Sequence, residues 1–146
     1  MSDAPRRKLI SIVTPVWNEE LSVADCYEAV KRLFEGELAA YDYEHIFCDN
    51  ASTDQTPAIL RDLAGRDRHV RVILNARNFG APRSIFNGLL ATRGDGVIPL
   101  LAVDLQDPPD VIPTFVRLWE QGHEVVFGVR ANREEGWLMR TVRHTY

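Results

Sequence analysis

Three side chains with oxygen donors, Asp104, Gln106 and Asp107, directly follow a short apolar run at residues 98–103. A short apolar run of this kind suits a buried strand better than a helix. The proline pair at residues 108–109 must end that strand, because proline lacks the amide proton of a sheet ladder and suits the first turn of a helix. The three donors are therefore predicted to crowd into one strand-to-helix loop, where carboxylate and amide oxygens suit Mg²⁺ or Mn²⁺.

Two interpretations of Asp107 stay open at this point. Aspartate is a favoured N-cap, so Asp107 fits a cap of the next helix as well as it fits a functional group. For Asp104 with Gln106 the ligand interpretation is favoured, because other polar residues of the chain are predicted to meet them.

Alternating strands and helices account for most of the chain. Apolar segments predict strands at residues 9–15, 43–48, 70–74, 98–103 and 124–129. Amphipathic helices are predicted to begin near Asn18, Pro57, Pro82 and Pro109. This alternation with short loops predicts an α/β domain whose mostly parallel sheet has helices on both faces. No linker or low-complexity run interrupts residues 1–130, which are predicted to form one domain.

Capping patterns predict where two of these helices start. Asn18 is expected to cap the first helix, with Glu19 and Glu20 in its first turn. Ser52 and Gln55 fit a capping box for the second helix.

The polar residues that could do chemistry follow the predicted strands. Ligands of open parallel sheets bind outside the carboxyl ends of the strands. The residues predicted at that rim are Trp17, Glu19, Asp49, Asn50, Arg77, Asn78, Asp104, Gln106 and Arg130. Trp17 alone is more typical of a core or lid residue than of a base-stacking platform. Together, the set predicts a site for the base, ribose and metal-bound diphosphate of a nucleotide, with Arg130 near the phosphates.

Composition excludes several other classes. The 146 residues are 45% hydrophobic and 26% charged, as in an ordinary globular domain, and the net charge of -4 argues against a nucleic-acid binder. Cys26 and Cys48 form no metal or disulfide spacing and are expected to be buried small hydrophobes in a reducing compartment. No segment approaches the about 20 apolar residues of a membrane span, so the chain is expected in the cytoplasm, at most touching a membrane.

A dinucleotide oxidoreductase shares the strand–helix alternation but does not fit the first turn. Residues 15–20 contain no glycine, and Glu19 and Glu20 would repel a pyrophosphate at that helix start. A Walker lysine motif is also missing from the sequence. The nucleotide is therefore expected to be bound through a cation.

Five segments carry a family resemblance that covers nearly the whole chain. They read TPVWNEE at residues 14–20, DNASTDQT at 49–56, RNFG at 77–80, DLQDPP at 104–109 and GVR at 128–130. In order and spacing they resemble the family 2 inverting glycosyltransferases of GT-A fold. Within that family they look like the polyprenyl-phosphate branch, which includes enzymes similar to dolichol-phosphate-mannose synthase.

The resemblance implies a role for each matching position. The residues that it assigns to nucleotide binding are Pro15, Trp17, Glu19, Cys48, Asp49, Asn50 and Val103. It assigns Asp104 and Gln106 to a Mg²⁺ or Mn²⁺ ion and Arg130 to the phosphates. Two positions depart from the family pattern: Ala102 replaces the first carboxylate of the usual Asp-x-Asp, and Asn50-Ala51 stands where Asp-Gly is usual.

The implied reaction moves a hexose from a GDP- or UDP-sugar to a polyprenyl phosphate, with inversion and with the metal as Lewis acid. A phosphate monoester has a second pKa of about 6, so it needs no strong general base. The four histidines, at positions 45, 69, 123 and 144, are accordingly expected to be structural or solvated. Asp107 is the candidate base if the acceptor is a sugar hydroxyl instead.

The last residues, 131–146, predict the start of a basic amphipathic helix that packs on the domain or lies at a membrane surface. Relatives of this branch continue further, so the chain is expected to be the donor-binding part of a longer protein. Two other functions stay open: a soluble transferase to a saccharide or protein acceptor, and a nucleotide-sugar-binding module without turnover.

Overall fold

Four parallel strands form the sheet in the computed structural model, which describes residues 6–100, 103–105 and 109–128. The elements are β1 (Leu9–Val16), α1 (Val23–Glu35), β2 (Asp42–Asp49), α2 (Thr56–Arg66), β3 (Val70–Leu74), α3 (Ala81–Leu90), β4 (Gly96–Pro99), a 3-10 turn (Pro109–Val111) and α4 (Ile112–Glu120). The strand order is β3-β2-β1-β4. The predicted α/β class, with a mostly parallel sheet, is confirmed.

The alternation of side chains along β1 divides the core between the two faces of the sheet. Ile10 and Ile12 face the larger cluster, which α1, α2 and α4 cover. Val13 points to the opposite face, where it packs with Cys48 of β2 and Leu89 of α3. The period of two in a strand thus places helices on both faces, as predicted.

Small residues bring α3 close to the sheet. Ser84 and Gly88 are the buried residues of this helix. A Cβ atom added to Gly88 would lie 2.5 Å from both the Cys48 Sγ and the Val13 Cγ1 atoms. Glycine at this position therefore sets the distance between α3 and the sheet.

Neither predicted helix cap forms, although α2 begins at Thr56, close to the predicted Pro57. The first helix begins at Val23, because Asn18 adopts a φ of 55° and its side chain accepts a hydrogen bond from the Thr53 amide. Ser52 does not cap α2; its hydroxyl accepts a hydrogen bond from the Asn18 amide. These polar side chains, which could have capped helices, instead form hydrogen bonds between the loop after β1 and the loop after β2.

The strands at the end of the chain also differ. β4 spans Gly96–Pro99, earlier than the predicted 98–103, because its register is set by pairing with residues 10–13 of β1. The predicted fifth strand is wrong for residues 124–128, where Val125 and Phe127 are exposed and no ladder forms. An apolar run becomes a strand only when a neighbouring strand pairs with its backbone. The predicted domain end near residue 130 and the helix at 131–146 lie outside the described residues.

His45, a residue of β2, is buried in the core. Its Nε2 atom lies 2.9 Å from the Thr14 hydroxyl, its ring stacks on Phe47, and its Nδ1 atom has no hydrogen-bond partner among the described residues. Burial lowers the pKa of His45 to about 3. This histidine is therefore neutral and structural, as predicted.

Within the described residues, no helix has both the length and the hydropathy that crossing a bilayer requires.

Substitution of Gly88 tests the close approach of α3. Gly88→Ala should lower the free energy of unfolding by about 1–3 kcal/mol, because the added methyl group overpacks the contact with Val13 and Cys48. Gly65→Ala is the matched control: its Cβ atom meets nothing within 4 Å, and alanine in a helix is favoured by about 0.5–1 kcal/mol. Urea denaturation measures both, and equal effects would contradict the packing argument.

The buried His45 predicts acid sensitivity. The unfolded chain takes up a proton below the ordinary pKa of 6.5, whereas folded His45 resists protonation until about pH 3. Stability should therefore fall as pH decreases through this window, with His45 contributing up to about 1.4 kcal/mol per pH unit. We expect the slope of the unfolding free energy against pH, measured by denaturation between about pH 6.5 and about pH 5, to be smaller in His45→Gln than in the wild type. This window lies above the ordinary carboxylate range.

The control is His123→Gln, which changes an exposed residue and should keep the wild-type slope. An unchanged slope in His45→Gln would contradict the assignment.

Candidate functional site

A cleft of about 440 Å³ opens at the carboxyl ends of the strands. Its lining residues are Pro15, Val16, Trp17, Glu19, Asn50, Asn78, Gly80, Ala81, Val103 and Asp104. Seven of the residues assigned to the site from the sequence therefore share one cleft: Pro15, Trp17, Glu19, Asn50, Asn78, Val103 and Asp104. Trp17 is 53% exposed, so its ring is available to a ligand.

Two carboxylates make this cleft acidic. Glu19 follows β1 and Asp104 lies in the turn at residues 103–105. Burial, followed by the charge of Asp104, raises the pKa of Glu19 above its ordinary value. The cleft therefore concentrates negative charge where the loops of β1 and β4 meet.

Hydrogen bonds run in both directions between the loops after β1 and β2. The loop after β1 donates from the amides of Asn18, Glu19 and Glu20 to the side chains of Ser52, Thr56 and Asp54, at 2.8, 2.8 and 3.2 Å. In return, the amides of Thr53 and Gln55 donate to the side chains of Asn18 and Glu20, at 2.8 and 2.9 Å. These bonds hold Trp17 and Glu19 in place beside the end of β2.

Asn50 joins the loop after β2 to the loop after β3. Its Oδ1 atom accepts hydrogen bonds from the Phe79 amide at 2.9 Å and from Asn75 Nδ2 at 3.3 Å. Its Nδ2 group donates to Asn78 Oδ1 at 2.9 Å, and the same oxygen accepts from the Gly80 amide at 2.8 Å. The side-chain amide of Asn50 thus acts both as a donor and as an acceptor, and it fixes the wall of the cleft.

Backbone strain is concentrated at the same rim. Among the described residues, three that are not glycine have positive φ: Asn18 at 55°, Ala51 at 61° and Leu105 at 59°. Each lies in the segment that follows a strand and leads to the cleft. Strain of this kind persists where surrounding contacts impose it, and it is typical of functional sites. At Ala51, where the family usually has glycine, alanine takes a conformation that favours glycine.

Asp49 and Cys48 lie deeper than the cleft lining. Asp49 is buried; its Oδ2 atom accepts a hydrogen bond from the Ser52 amide at 3.2 Å, and its Oδ1 atom has no hydrogen-bond partner in the described part of the chain. Cys48 does not reach the cleft, because its side chain points to the opposite face and packs against Val13 and Gly88. Burial raises the pKa of the Cys48 thiol to about 11 and that of Cys26 to about 12. Both are unpaired, buried cysteines, as the sequence predicted.

The carboxylates of the cleft bear on whether it can hold a metal ion. No cluster of three or more His, Cys, Asp or Glu side chains that could hold a metal occurs in the described ranges. Asp104 supplies a carboxylate beside Glu19, and a cation there would relieve their repulsion. This fits an ion held by one protein carboxylate, substrate phosphates and water, as Mg²⁺ often is. Three predicted site residues, Gln106, Asp107 and Arg130, lie outside the described residues.

Gly80 and Ala81 were not assigned to the site from the sequence, although Gly80 closes one of the family motifs. Gly80 has a φ of 82° and precedes α3. Pro82 could have indicated them from the sequence, because it marks the start of a helix. The helix that follows a parallel strand begins at the strand's carboxyl end, where ligands bind. The amino end of α3 therefore meets the cleft and favours negative charge there.

Arg77, predicted at the rim, does not line the cleft. Its Cζ atom lies 4.7 Å from the centroid of the Phe79 ring, on which the guanidinium group stacks.

Solved structures identify the class of fold. The chain superposes on the Pyrobaculum calidifontis mannosyltransferase PcManGT, in complex with GDP-Man and Mn²⁺, with a TM-score of 0.63 and 19% identity over 77% of this chain and 32% of that one. On Staphylococcus aureus TarS residues 1–349, in complex with UDP-GlcNAc, the TM-score is 0.64 with 18% identity over 85% of this chain and 36% of that one. At these identities the likeness shows the fold, which is the GT-A fold of glycosyltransferases.

Sequence comparison identifies the family. The model of glycosyl transferase family 2 matches residues 11–145, so the chain belongs to that family. It is 42% identical over 132 residues to a bactoprenol glucosyl transferase of Shigella phage SfX, covering 90% of this chain. It is 40% identical to an undecaprenyl-phosphate 4-deoxy-4-formamido-L-arabinose transferase of Edwardsiella ictaluri, covering 96% of this chain. The similarity to the polyprenyl-phosphate branch is thus confirmed. The chain spans 42% of the length of each of these relatives.

Substitution of Asn50 tests the cleft wall. Asn50→Asp replaces the Nδ2 donor with an oxygen, which would face the Asn78 Oδ1 acceptor. If the Asn78 side chain turned to present its NH₂ group instead, its Oδ1 atom would lose the hydrogen bond from the Gly80 amide. We expect a loss of about 1–3 kcal/mol in the free energy of unfolding. The control is Asn87→Asp, which changes a single exposed hydrogen bond to Asn75 and should cost about 0.5 kcal/mol or less. Urea denaturation distinguishes them, and an equally small effect for Asn50→Asp would show that its network does not hold the wall.

Proposed function

We propose that this chain is the donor-binding part of a glycosyltransferase that moves a hexose from a nucleotide diphosphate sugar to a polyprenyl phosphate. The proposal includes inversion at the anomeric carbon, a divalent metal ion at the diphosphate, and action at the cytoplasmic face of a membrane. One observation carries it: a family 2 chain unites Trp17, Glu19, Asn50 and Asp104 in one cleft at the carboxyl ends of parallel strands.

The cleft suits the donor by its chemistry. The exposed Trp17 ring offers an apolar plane of the size of a base. The amino end of α3, at Gly80 and Ala81, offers a favourable potential to phosphates. The proteins with similar folds bind GDP-Man in one case and UDP-GlcNAc in the other, so both bases are candidates.

The acidity of the cleft supports a metal ion. A diphosphate has to lie close to Asp104 and Glu19, whose charges repel it. Asp104, together with Gln106 and the donor phosphates, would hold Mg²⁺ or Mn²⁺. The bound ion would act as a Lewis acid on the departing diphosphate. One solved structure of similar fold contains Mn²⁺, which agrees with this choice of metal.

The acceptor is chosen from its chemistry and from the relatives. The bond from the anomeric carbon to the diphosphate oxygen breaks while a bond to an acceptor phosphate oxygen forms on the opposite face. A phosphate monoester with a second pKa of about 6 is largely dianionic near neutral pH, so the attack releases no proton that a base must take. In this reaction Asp107 is not needed as a general base, and Arg130 stabilises the phosphate charge. The names of the relatives, bactoprenol and undecaprenyl-phosphate transferases, support this acceptor.

Asp104→Asn tests the metal-dependent donor site. The substitution removes the charge and keeps the shape of the side chain, so we expect Mn²⁺-dependent affinity for the donor to fall by at least about tenfold, the effect of 1.4 kcal/mol in binding energy. Calorimetry with a panel of GDP, UDP and their sugars, with and without Mn²⁺, measures this affinity and also identifies the base. The matched control is Asp110→Asn, an exposed carboxylate outside the cleft that should leave affinity unchanged.

Two results would contradict the proposal in different ways. Unchanged Mn²⁺-dependent affinity in Asp104→Asn would remove Asp104 from the metal site. Donor binding without transfer to a polyprenyl phosphate, by the full-length protein, would favour a binding module. Transfer to a saccharide or protein instead would favour the soluble transferase.

A further inference from the structure

We propose that the outward face of α3 is a docking surface for an anionic lipid bilayer. This surface, the α3 face, is defined by Phe79, Arg83, Phe86 and Leu90, with Arg77 at its edge. It is separate from the cleft lining, and docking there does not require that the chain binds a nucleotide sugar.

The first observation is that α3 exposes two large apolar side chains. The helix contacts the sheet through its two buried residues, Ser84 and Gly88, and through the partly buried Leu89. Phe86 and Leu90 point the other way: Phe86 is 62% exposed and Leu90, one turn later, is 72% exposed. A surface helix ordinarily buries its large apolar residues. Two of them on the outer face, with the partly exposed Phe79 nearby in sequence, mark a surface that a partner covers.

The second observation is a separation of charge along the chain. Residues 68–94 contain five of the chain's 17 basic residues and none of its 21 acidic ones, although the chain as a whole carries a net charge of -4. This stretch includes β3, the following loop and α3. The α3 face is therefore locally cationic on a protein that is acidic overall.

The ion pairs of this region leave the α3 face cationic. Glu44, a buried residue of β2, pairs with Arg71 at 2.7 Å and with Arg93 at 3.0 Å. These two arginines outnumber their single carboxylate. Arg77 and Arg83 have no ion pair within the described part of the chain, and Arg77 stacks on Phe79. Arg77 thus lies over an exposed aromatic ring, and Arg83 precedes the exposed Phe86 by three residues on the same helix.

Aromatic and aliphatic side chains beside arginines suit the boundary between headgroups and acyl chains. There the apolar groups enter the bilayer edge while the guanidinium groups stay with anionic headgroups. The geometry also gives the docking a consequence. Gly80 and Ala81, at the amino end of α3, line the cleft, so a docked α3 face holds the cleft next to the surface where a lipid phosphate lies.

The test uses sedimentation of the full-length protein with lipid vesicles. Binding should be stronger to vesicles that contain phosphatidylglycerol than to vesicles of phosphatidylcholine alone, and it should weaken as salt is raised. Arg83→Glu should lower the affinity for anionic vesicles by about fivefold or more, and Phe86→Ser by about tenfold, because each removes one component of the surface. Both positions are exposed, so circular dichroism should report an unchanged fold.

The matched control is Leu21→Ser. Leu21 is 88% exposed, but its neighbours are Glu19, Glu20 and Asp25, so we expect no change in vesicle affinity. Wild-type binding by Arg83→Glu and Phe86→Ser, or equal binding to both kinds of vesicle, would overturn the proposal. A dimer that Phe86→Ser dissociates, with vesicle binding unchanged, would also overturn it and assign the face to a second copy. Donor affinity, measured on the same variants, should stay at the wild-type value, so failure of the docking and failure of the transferase proposal are distinguishable.

Discussion

The reciprocal hydrogen bonds between the loops after β1 and β2 are the constraint on which the site depends. Loops at the end of a parallel sheet have no ladder to hold them, so their backbone donors need side-chain acceptors. Here each loop supplies acceptors for the other, with Asn18 and Ser52 at the centre of the exchange. Asn50 extends the network to the loop after β3. Three loops that are distant in sequence thus form one preorganised wall of the cleft.

The same rim combines features that do not favour stability. Glu19 and Asp104 place like charges in one cleft, and Ala51 has a positive φ. Asp49 has a buried oxygen that meets no hydrogen-bond partner within residues 6–100, 103–105 and 109–128. Proteins tolerate such local conflicts at sites where a ligand relieves them. A cation with a diphosphate would relieve the repulsion between the carboxylates, which links the electrostatics of the cleft to the proposed chemistry.

The α3 helix connects the cleft to the proposed docking surface. Gly88 lets the helix lie close to β1 and β2, its amino end meets the cleft, and its outer face carries Phe86 and Leu90. Two large apolar side chains exposed on one helix face would be unfavourable for an isolated domain. The arrangement is understandable if the outer face is covered while the cleft stays open to solvent.

The element types were predictable because they depend on local patterns. Four of the five predicted strands form, and every predicted helix within the described residues is present. The errors have a common cause. The helix expected at Asn18 starts later because its capping groups bond to a distant loop, and residues 124–128 form no strand because no neighbour pairs with them. Cys48 was assigned to the pocket by family position, whereas its side chain packs against α3.

The sequence by itself determined the α/β alternation, the parallel sheet and the set of polar residues that follow the strands, since periodicity and proline positions are local properties of the chain. Only the tertiary structure decided which of those residues meet. Whether Glu19 lies near Asp104, and whether Asn50 faces the cleft while Cys48 faces the core, depends on strand register and on hydrogen bonds between loops. These are contacts between residues far apart in sequence, and no local pattern encodes them.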